Sequence, residues 1–297
     1  MIPLLTENSA VAQFAAVLAK ESIIAVDLEA DSLHSYNEKV CLLQVTIPGK
    51  TVLIDPLAAD DLTPLGAVLA DPAIVKIFHA ADYDIRCLYR DFGFTVRGLF
   101  DTMISSQFLG EEKVGLADML NKYFGVELNK QYQRADWSMR PLSAPMLDYA
   151  AEDTNHLHKL HALLEERLIG CGRRDWVTEE FLRLEEGRFL QHDGPLCLRV
   201  KGAGRLDRRQ LAILEGLLQW RDGEARKRDC PSFKVIGPQA LLAIATKAPE
   251  TLDEMTGLEG LFPRLVERYG KHFLTIVATA RALPTEALPI FPRSERR

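Results

Sequence analysis

The sequence of 297 residues lacks the features that mark several large classes of protein. No run approaches the roughly 20 continuous apolar residues that would span a bilayer. The five cysteines are scattered, odd in number and form no C-x-x-C pair, which argues against a disulfide framework or a zinc site. The first residues also lack the basic and apolar stretches of a secretion signal. We therefore expect a cytoplasmic protein with reduced thiols and no membrane contact.

An excess of positive charge is missing as well, although the charge is unevenly distributed. The formal net charge is −6 at pH 7. Residues 1–204 carry 20 basic and 30 acidic side chains, whereas residues 205–297 carry 16 basic and 12 acidic ones. An acidic part that holds divalent cations, joined to a basic part that meets phosphates, would give this split. Chance variation in surface charge would give it equally well.

The first half of the chain alternates between apolar runs typical of strands and patterns typical of helices. Strands are predicted for SIIAVDLE, VCLLQVTI, KTVLIDP and AIVKIFHA, the first three forming an antiparallel meander. Helices are predicted for LTPLGAVLA, ADYDIRCLYRDFG, FDTMISSQFLG and GLADMLNKYFG. A longer amphipathic helix is predicted from Ser143, as its N-cap, to about Ile169. This order predicts an α/β fold with a mixed sheet.

Beyond residue 170 the pattern is helical throughout. A helix over roughly 175–190 and a glycine-containing stretch form a predicted helical linker, residues 171–204. Residues 205–285 are predicted to form a small all-α domain. The chain from Leu283 onward contains three prolines and no periodicity, which predicts a disordered or loosely docked tail over residues 286–297.

Two pairs of residues suggest chemistry without establishing it. Asp27 and Glu29 lie two apart on a predicted strand, so their side chains share one face. Burying such a pair is costly unless cations neutralise it, but acidic pairs on edge strands are more often solvated. Tyr149 and Asp153 lie four apart on the long predicted helix and share its face. A packed tyrosine beside an exposed aspartate would give the same pattern.

A third acidic position is ambiguous from the pattern alone. Asp82 and Asp84 lie two apart on a helix, where side chains differ in direction by about 200°, so only one of them can face a shared site. His79 falls at the junction of strand and helix, and we expect it to be a structural hydrogen-bonding residue. Asp101 precedes a helix and is best interpreted as its N-cap.

Three longer runs occur in order and resemble the exonuclease motifs of a known superfamily. They are VDLEADSLHSY with VCLLQVT, then KIFHAADYDIRCLY, then the 40 residues from GLADML to YAAEDT. Together they resemble the DEDD superfamily in its tyrosine-containing branch, and most of all the ribonuclease D family. The resemblance covers roughly residues 1–205. Its third run is the most specific, because it includes the LNK-x-x-Q-R-x-DW-x-x-RPL stretch and the Y-x-x-x-D end.

The resemblance implies a ribonuclease H-like exonuclease domain over residues 1–170. It assigns Asp27 and Glu29 to the first motif, Asp84 rather than Asp82 to the second, and Tyr149 and Asp153 to the third. The four carboxylates would hold two divalent ions, Mg²⁺ or Mn²⁺, both of which prefer oxygen ligands. Tyr149 would orient the attacking water. The implied reaction releases nucleoside 5′-monophosphates from RNA 3′ ends, with tRNA precursors as the implied substrate.

Residues 205–285 resemble a second module, the HRDC domain shared by RecQ-type helicases and ribonuclease D. The run LLQWRDGEARKRDCPSFKVIGPQALLAIA carries this resemblance. Many bacterial relatives have two such domains and this chain has room for one, so a substrate preference carried over from them is uncertain. A basic helix end in this module would either contact RNA or interact with the helix dipole, through Arg221, Arg226, Lys227 and Arg228. No protein partner is implied.

Contacts to the substrate are predicted outside the motif residues. Leu33 and His34 follow the first motif where a wedge against the terminal base would sit, whereas Leu33 would also suit a core position. Lys130, Arg134 and Arg140 would meet phosphates, or else form ordinary solvated surface.

Two other functions share these features. A DNA exonuclease of the Werner-syndrome type uses the same catalytic residues, and the motifs alone do not separate RNA from DNA. A catalytically inactive nucleic-acid-binding scaffold would keep the HRDC-like module, but the intact set of carboxylates argues against it.

Overall fold

The computed structural model describes residues 2–187 and 194–291. They form two compact units. The first consists of residues 2–31 and 38–187, and the second consists of residues 32–37 and 194–291. The strands of the first unit are β1 (Leu4–Leu5), β2 (Ile23–Ala30), β3 (Val40–Ile47), β4 (Lys50–Ile54), β5 (Val75–Phe78) and β6 (Leu99–Asp101). Its helices are α1 (Asn8–Leu18), α2 (Thr63–Ala70), α3 (Asp82–Phe92), α4 (Thr102–Phe108), α5 (Leu116–Phe124), α6 (Ala144–Asn155), α7 (Leu157–Gly170) and α8 (Arg174–Glu185).

The six strands form one mixed sheet in the order β1-β4-β3-β2-β5-β6. Strands β2, β3 and β4 pair antiparallel, whereas β1, β5 and β6 join by parallel pairing. The predicted meander and mixed α/β sheet are therefore confirmed. Every residue of β3 is buried, because helices cover both faces of the sheet centre.

The register of the sheet assigns each side chain to one of these faces. On one face, Leu43 and Val45 enter the core that also contains α1, α2 and α3. On the other, Leu42 and Leu53 pack against Ala150 and Ala151 of α6. Since strand side chains alternate with period two, the residues of β2 opposite Leu42 and its even-numbered neighbours also face α6.

The single long helix predicted from Ser143 to about Ile169 was wrong. The helix is interrupted at His156, where φ is −101° and ψ is −4°, and this residue separates α6 from α7. Helix α6 packs on β2, β3 and β4, whereas α7 packs on β5 and α4. The break lets the two halves follow different partners. Ser143 stands at the N-cap position of α6 but makes no side-chain capping hydrogen bond.

Other elements of the first unit differ from the expectation or were not predicted. Helix α8 packs with the first unit, because Val177 and Phe181 are buried in its core, so this part of the predicted linker is not a free connection. Strands β1 and β6 and helix α1 were not predicted. Strand β1 has two residues and strand β6 has three, which are too few for a periodic signal.

The second unit is all helical, as predicted. Its helices are α9 (Arg208–Lys227), α10 (Ser232–Val235), α11 (Pro238–Lys247) and α12 (Pro263–Ala282), with short 3-10 helices at Leu196–Arg199, Ala203–Arg205, Asp253–Met255 and Thr285–Ala287. Asp207 and Gln210 form a reciprocal capping box at the start of α9. Residues 32–37 group with this unit, where the Tyr36 hydroxyl donates to Asp222 at 2.8 Å.

The first half of the predicted tail is docked rather than loose. Leu288 is buried in the core of the second unit, and Phe291 packs against that core with its ring next to Gly204. Residues 292–297 of the predicted tail lie outside the described residues. In the described part of the chain, no helix is long and apolar enough to cross a membrane.

Candidate active site

The first two acidic residues lie at the end of β2. Asp27 is directly opposite Gln44 of β3, and Glu29 is directly opposite Leu42. Because Leu42 packs against α6, both carboxylates emerge on the face of the sheet that α6 covers. The register of β2 and β3 shifts after Glu29, so regular pairing ends next to this pair.

Helix α6 lies across this face and brings two more of the predicted residues. Tyr149 and Asp153 are one turn apart and point into the same cavity as Asp27 and Glu29. The cavity has a volume of about 240 Å³. Its lining consists of Asp27, Leu28, Glu29, His79, Leu116, Gln133, Tyr149, Asp153 and Leu157.

The ambiguity between Asp82 and Asp84 has a clear geometric answer. Asp84 is 6% exposed, whereas the Asp82 side chain is 61% exposed and forms an ion pair with Arg86 at 2.7 Å. The Asp84 carboxylate does not line the cavity, but burial, followed by the charge of Asp27, raises its pKa, and its own charge adds to the larger effects of burial, Asp27 and Asp153 on the pKa of Glu29. The structure therefore groups Asp84, and not Asp82, with the other three carboxylates.

Burial raises the pKa of every carboxyl in this group, and neighbouring acidic side chains raise it further. Burial, followed by the charge of Asp153, raises the pKa of Asp27 to about 8. Burial, followed by Asp27, raises the pKa of Glu29 to about 10. For Asp153 the pKa rises to about 7, through burial and then the charge of Glu152. Within residues 2–187 and 194–291, none of the four carboxylates has a basic side chain as an ion-pair partner.

The donor set fits a hard divalent cation by its chemistry. All four groups are carboxylates, the oxygen ligands that hard cations prefer, and a cation would offset their negative charge, which has no basic partner. Among the described residues, no three His, Cys, Asp or Glu side chains are already arranged to hold one ion together.

Tyr149 is held by aromatic neighbours from the loop that precedes α6. Its ring lies 5.8 Å from that of Tyr132 and 6.0 Å from that of the buried Trp137. Burial, followed by the charges of Asp153, Glu29 and Asp27, raises the pKa of the Tyr149 phenol above its ordinary value. The hydroxyl therefore keeps its proton at neutral pH.

His79 and Asp101 have the structural roles that we expected. His79 Nδ1 and Thr102 Oγ1 are 2.9 Å apart, and burial lowers the pKa of His79 to about 4, so its ring is neutral. Asp101 caps α4 by accepting hydrogen bonds from the backbone N–H groups of Met103 and Ile104. It also accepts from the N–H of Ala81 at 2.7 Å, which joins the start of α3 to that of α4.

Comparison with known proteins identifies the family. The family model of 3′-5′ exonucleases matches residues 3–169, and that of the HRDC domain matches residues 210–277. A ribonuclease D from Gluconacetobacter diazotrophicus is 34% identical over 275 residues, which cover 92% of this chain and 70% of that protein. The chain belongs to the ribonuclease D family.

Solved structures agree with this membership. The RNase D of Escherichia coli, described as an exoribonuclease involved in structured RNA processing, has 31% sequence identity and a TM-score of 0.78, covering 98% of this chain and 78% of that one. The NrnC of Brucella melitensis with bound Mg²⁺ has 25% identity and a TM-score of 0.54, covering 62% of this chain and 90% of that one. Membership of the ribonuclease D family makes this chain a 3′→5′ exoribonuclease.

Within this ribonuclease D fold, Arg140 differs from the expected phosphate contact. Its Nε and one Nη donate to the two carboxylate oxygens of Asp55 at 2.6 and 2.7 Å. The remaining N–H groups donate to the carbonyls of Trp137, Met139 and Cys41. All five donors of the guanidinium are used, so Arg140 anchors its loop and has no N–H left for a phosphate.

The other predicted substrate contacts, Leu33, His34, Lys130 and Arg134, do not line the cavity, so its geometry does not test their roles. Lys130 is exposed in the loop before α6, and Arg134 lies in the same loop. Leu33, which is 37% exposed, and His34 belong to residues 32–37 and are not in the cavity lining given above. These contacts stay predictions.

Four residues near the carboxylates were missed by the sequence reasoning. Leu116, Gln133 and Leu157 line the cavity, and Gln44 lies beside Asp27 in the sheet. Gln133 stands in the third motif-like run and Gln44 in the first, so attention to uncharged polar residues in these runs would have found both. Leu116 and Leu157 have no sequence signal that distinguishes them from core residues.

Proposed function

We propose that Asp27, Glu29, Asp84 and Asp153 hold two divalent ions, Mg²⁺ or Mn²⁺, with which this exoribonuclease hydrolyses the 3′-terminal phosphodiester of RNA. The proposal is supported by one observation above all. Three separate elements, β2, α3 and α6, carry four buried or largely buried carboxylates whose pKa values are all raised, first by burial and then by neighbouring acidic side chains, with no basic partner among the described residues. Metal sites and catalytic sites are where such an arrangement is maintained despite its cost.

Bound divalent ions would lower the pKa of a water molecule and offset the negative charge of the phosphodiester. The Mg²⁺ in the related NrnC structure is consistent with this choice of metal. The carboxylates themselves would act as the ligands. Ionisation of Asp27 and Asp153, whose pKa values are raised to about 8 and about 7, would accompany metal binding.

Tyr149 would orient the attacking water through its hydroxyl. A phenol whose pKa lies above its ordinary value is too weak a base to remove a proton at neutral pH. Its hydroxyl can still donate or accept one hydrogen bond at a fixed place in the cavity, because Tyr132 and Trp137 hold the ring. The reaction would release nucleoside 5′-monophosphates one at a time.

The substrate would be the 3′ end of structured RNA, with tRNA precursors as the first class to test. The RNase D of Escherichia coli, which covers this chain almost fully, is described as acting in structured RNA processing. Lys130 would meet a phosphate, and Leu33 with His34 would contact the terminal base. Parallel digestion of RNA and DNA strands of the same sequence tests this choice, and faster removal of deoxynucleotides would contradict it.

The assignment of the metal ligands is tested by Asp27→Asn and Asp153→Asn. Each change keeps the shape of the side chain and removes a charged ligand, which should cost several kcal/mol of transition-state stabilisation. We expect hydrolysis of a 3′-hydroxyl RNA to be abolished in the presence of Mg²⁺ or Mn²⁺, with folding and RNA binding nearly intact. Asp148→Asn is a matched control, because Asp148 is exposed on the same helix. Retention of more than about a tenth of the activity by either variant would overturn the assignment.

A further inference from the structure

Gln44 is a buried residue whose side-chain amide has no visible role in the fold. The side chain is 0% exposed, and neither Oε1 nor Nε2 has a hydrogen-bond partner in the described part of the chain. Buried amides are almost always hydrogen-bonded, because leaving one without a partner costs folding free energy. We therefore expect the Gln44 amide to form a hydrogen bond in a state of the protein other than the metal-free one.

The sheet register places this amide beside Asp27. The two residues are directly opposite each other in the β2–β3 ladder. Side chains at such positions share one face, with their Cβ atoms about 4.5–5.5 Å apart. On the far side of Gln44 is Leu53 of β4, which offers no polar group. Asp27 is therefore the polar side chain that directly flanks Gln44 in the sheet.

The neighbouring position along β3 shows that this strand already supports α6. Two residues further on, the hydroxyl of Thr46 is 2.7 Å from that of Thr154, which follows Asp153 in the chain. Thr46 and Gln44 face the same side, because strand side chains alternate. The strand thus contacts the helix that carries Asp153 through Thr46, and approaches Asp27 through Gln44.

Asp27 also needs a donor that its surroundings do not otherwise supply. The backbone N–H of Leu28 donates a hydrogen bond to its carboxylate, and no side chain of the described residues does so. A carboxylate that binds a metal through one oxygen is normally held by hydrogen bonds to its remaining lone pairs. A glutamine Nε2–H is a neutral donor, so it can hold the carboxylate without competing with a cation.

We propose that Gln44 is a positioning residue for Asp27. Its Nε2–H donates to the ionised carboxylate, directly or through one water molecule, and fixes the direction in which the other oxygen faces a divalent ion. This inference rests on the proposed function, in which Asp27 is a metal ligand. It adds an uncharged residue of β3 to the set that decides metal affinity.

The test uses the full-length protein with Gln44→Met, which keeps the length of the side chain and removes the donor. Leu53→Met is the matched control, because it places the same side chain at the adjacent buried position of β4. Four quantities are measured: Mn²⁺ affinity from the electron paramagnetic resonance signal of free Mn²⁺, the unfolding temperature in EDTA, and kcat and KM on a short RNA with Mg²⁺.

We expect Gln44→Met to weaken Mn²⁺ binding by about 10- to 100-fold, the usual range for residues that hold a metal ligand. The kcat should fall by a similar factor while the KM for RNA is unchanged. Its unfolding temperature in EDTA should be equal to or above that of the wild type, because an amide without a partner has been removed. Leu53→Met should leave Mn²⁺ affinity within about twofold of the wild type.

Wild-type Mn²⁺ affinity in Gln44→Met would overturn the inference. The inference would also be overturned if both Gln44→Met and Gln44→Leu were unfolded in EDTA, because the amide would then be needed to stabilise the metal-free protein. The two proposals fail differently. Full activity of Asp27→Asn would contradict the proposed metal site itself. An inactive Asp27→Asn together with wild-type Mn²⁺ affinity and kcat in Gln44→Met would contradict only the role of Gln44.

Discussion

Asp82 and Asp84 stand two residues apart in the first turn of α3, yet only Asp84 is buried. The rotation of about 200° between them directs Asp82 to solvent, where it pairs with Arg86, and Asp84 toward Asp27. Two chemically identical side chains on one helical turn therefore offer a matched pair. One is proposed to hold a metal ion, and the other is a surface residue.

The first prediction follows from this pair. Asp84→Asn should lower kcat by about 100-fold or more, because a ligand to the metal is lost. Asp82→Asn should change kcat by less than about twofold, since an exposed ion pair contributes only about 0–1 kcal/mol to stability. Release of mononucleotides from a labelled RNA measures both, and circular dichroism checks that each variant is folded. Equal effects of the two changes would contradict the prediction.

The second prediction concerns the stability of the metal-free protein against pH. In the unfolded chain the Asp carboxyls titrate near pH 4, whereas folding raises the pKa of Asp153 to about 7 and that of Asp27 to about 8. Their contribution to stability is therefore fully present below about pH 4 and is lost as the pH rises through 7 and 8. In EDTA, the unfolding temperature should fall between pH 5 and pH 9.

Two comparisons isolate the carboxylates in that experiment. Asp153→Asn removes one titrating group, so its unfolding temperature should fall less steeply with pH than that of the wild type. Added Mg²⁺ should raise the unfolding temperature more at pH 8 than at pH 5, because protons compete with the ion for its ligands. An unfolding temperature that rises from pH 5 to pH 9 in EDTA, with no difference in Asp153→Asn, would be incompatible with the raised pKa values.

A third prediction separates the two roles open to Tyr149. Tyr149→Phe keeps the ring between Tyr132 and Trp137 and removes only the hydroxyl. If the hydroxyl orients water, kcat should fall by about 10- to 100-fold at every pH, with the shape of the pH–rate profile preserved. If the phenol acted as a base, the wild-type profile would rise toward its raised pKa and the variant would lose that rise. Initial rates from pH 6 to pH 10 distinguish these outcomes.

Much of this site was predictable because it depends on local patterns. Spacing of two on a strand and four on a helix put Asp27 with Glu29 and Tyr149 with Asp153 on shared faces, and the sheet meander followed from β-branched apolar runs. The family resemblance, and not the spacing, assigned these residues and Asp84 to one site. The break at His156 was not predictable from these patterns. No proline or glycine marks it, and the elements that α6 and α7 do not share, β3 and β4 for the first and β5 and α4 for the second, come from distant parts of the chain.

The roles of Arg140 and Gln44 depend on contacts between distant parts of the chain. A basic residue in a loop near the third motif looks the same in the sequence whether it meets a phosphate or a buried carboxylate. Asp55, its partner, lies 85 positions earlier in the chain. Gln44 falls inside an apolar run, and only the strand register shows that Asp27 is opposite it.

The last prediction concerns the ion pair of Arg140 and Asp55. The Asp55 side chain is 3% exposed and that of Arg140 is 28% exposed, with two parallel hydrogen bonds between them. Arg140→Met would leave a buried carboxylate without its partner and should lower the free energy of unfolding by about 3 kcal/mol. Urea unfolding measures this loss. The double variant Arg140→Met with Asp55→Leu should recover part of it, because no uncompensated charge then remains.

Arg140→Met, compared with Asp55→Asn, decides whether Arg140 anchors its loop or contacts a phosphate. If Arg140 anchors its loop, Arg140→Met and Asp55→Asn should both loosen the loop that holds Trp137 beside Tyr149. Both variants should then have a lower kcat. A phosphate contact predicts instead that Arg140→Met raises the KM for RNA and reduces its salt dependence, while Asp55→Asn does neither. Because all five guanidinium donors are already used within the protein, we expect the first result. If Arg140→Met were stable and only its KM for RNA were raised, Arg140 would instead be a phosphate contact.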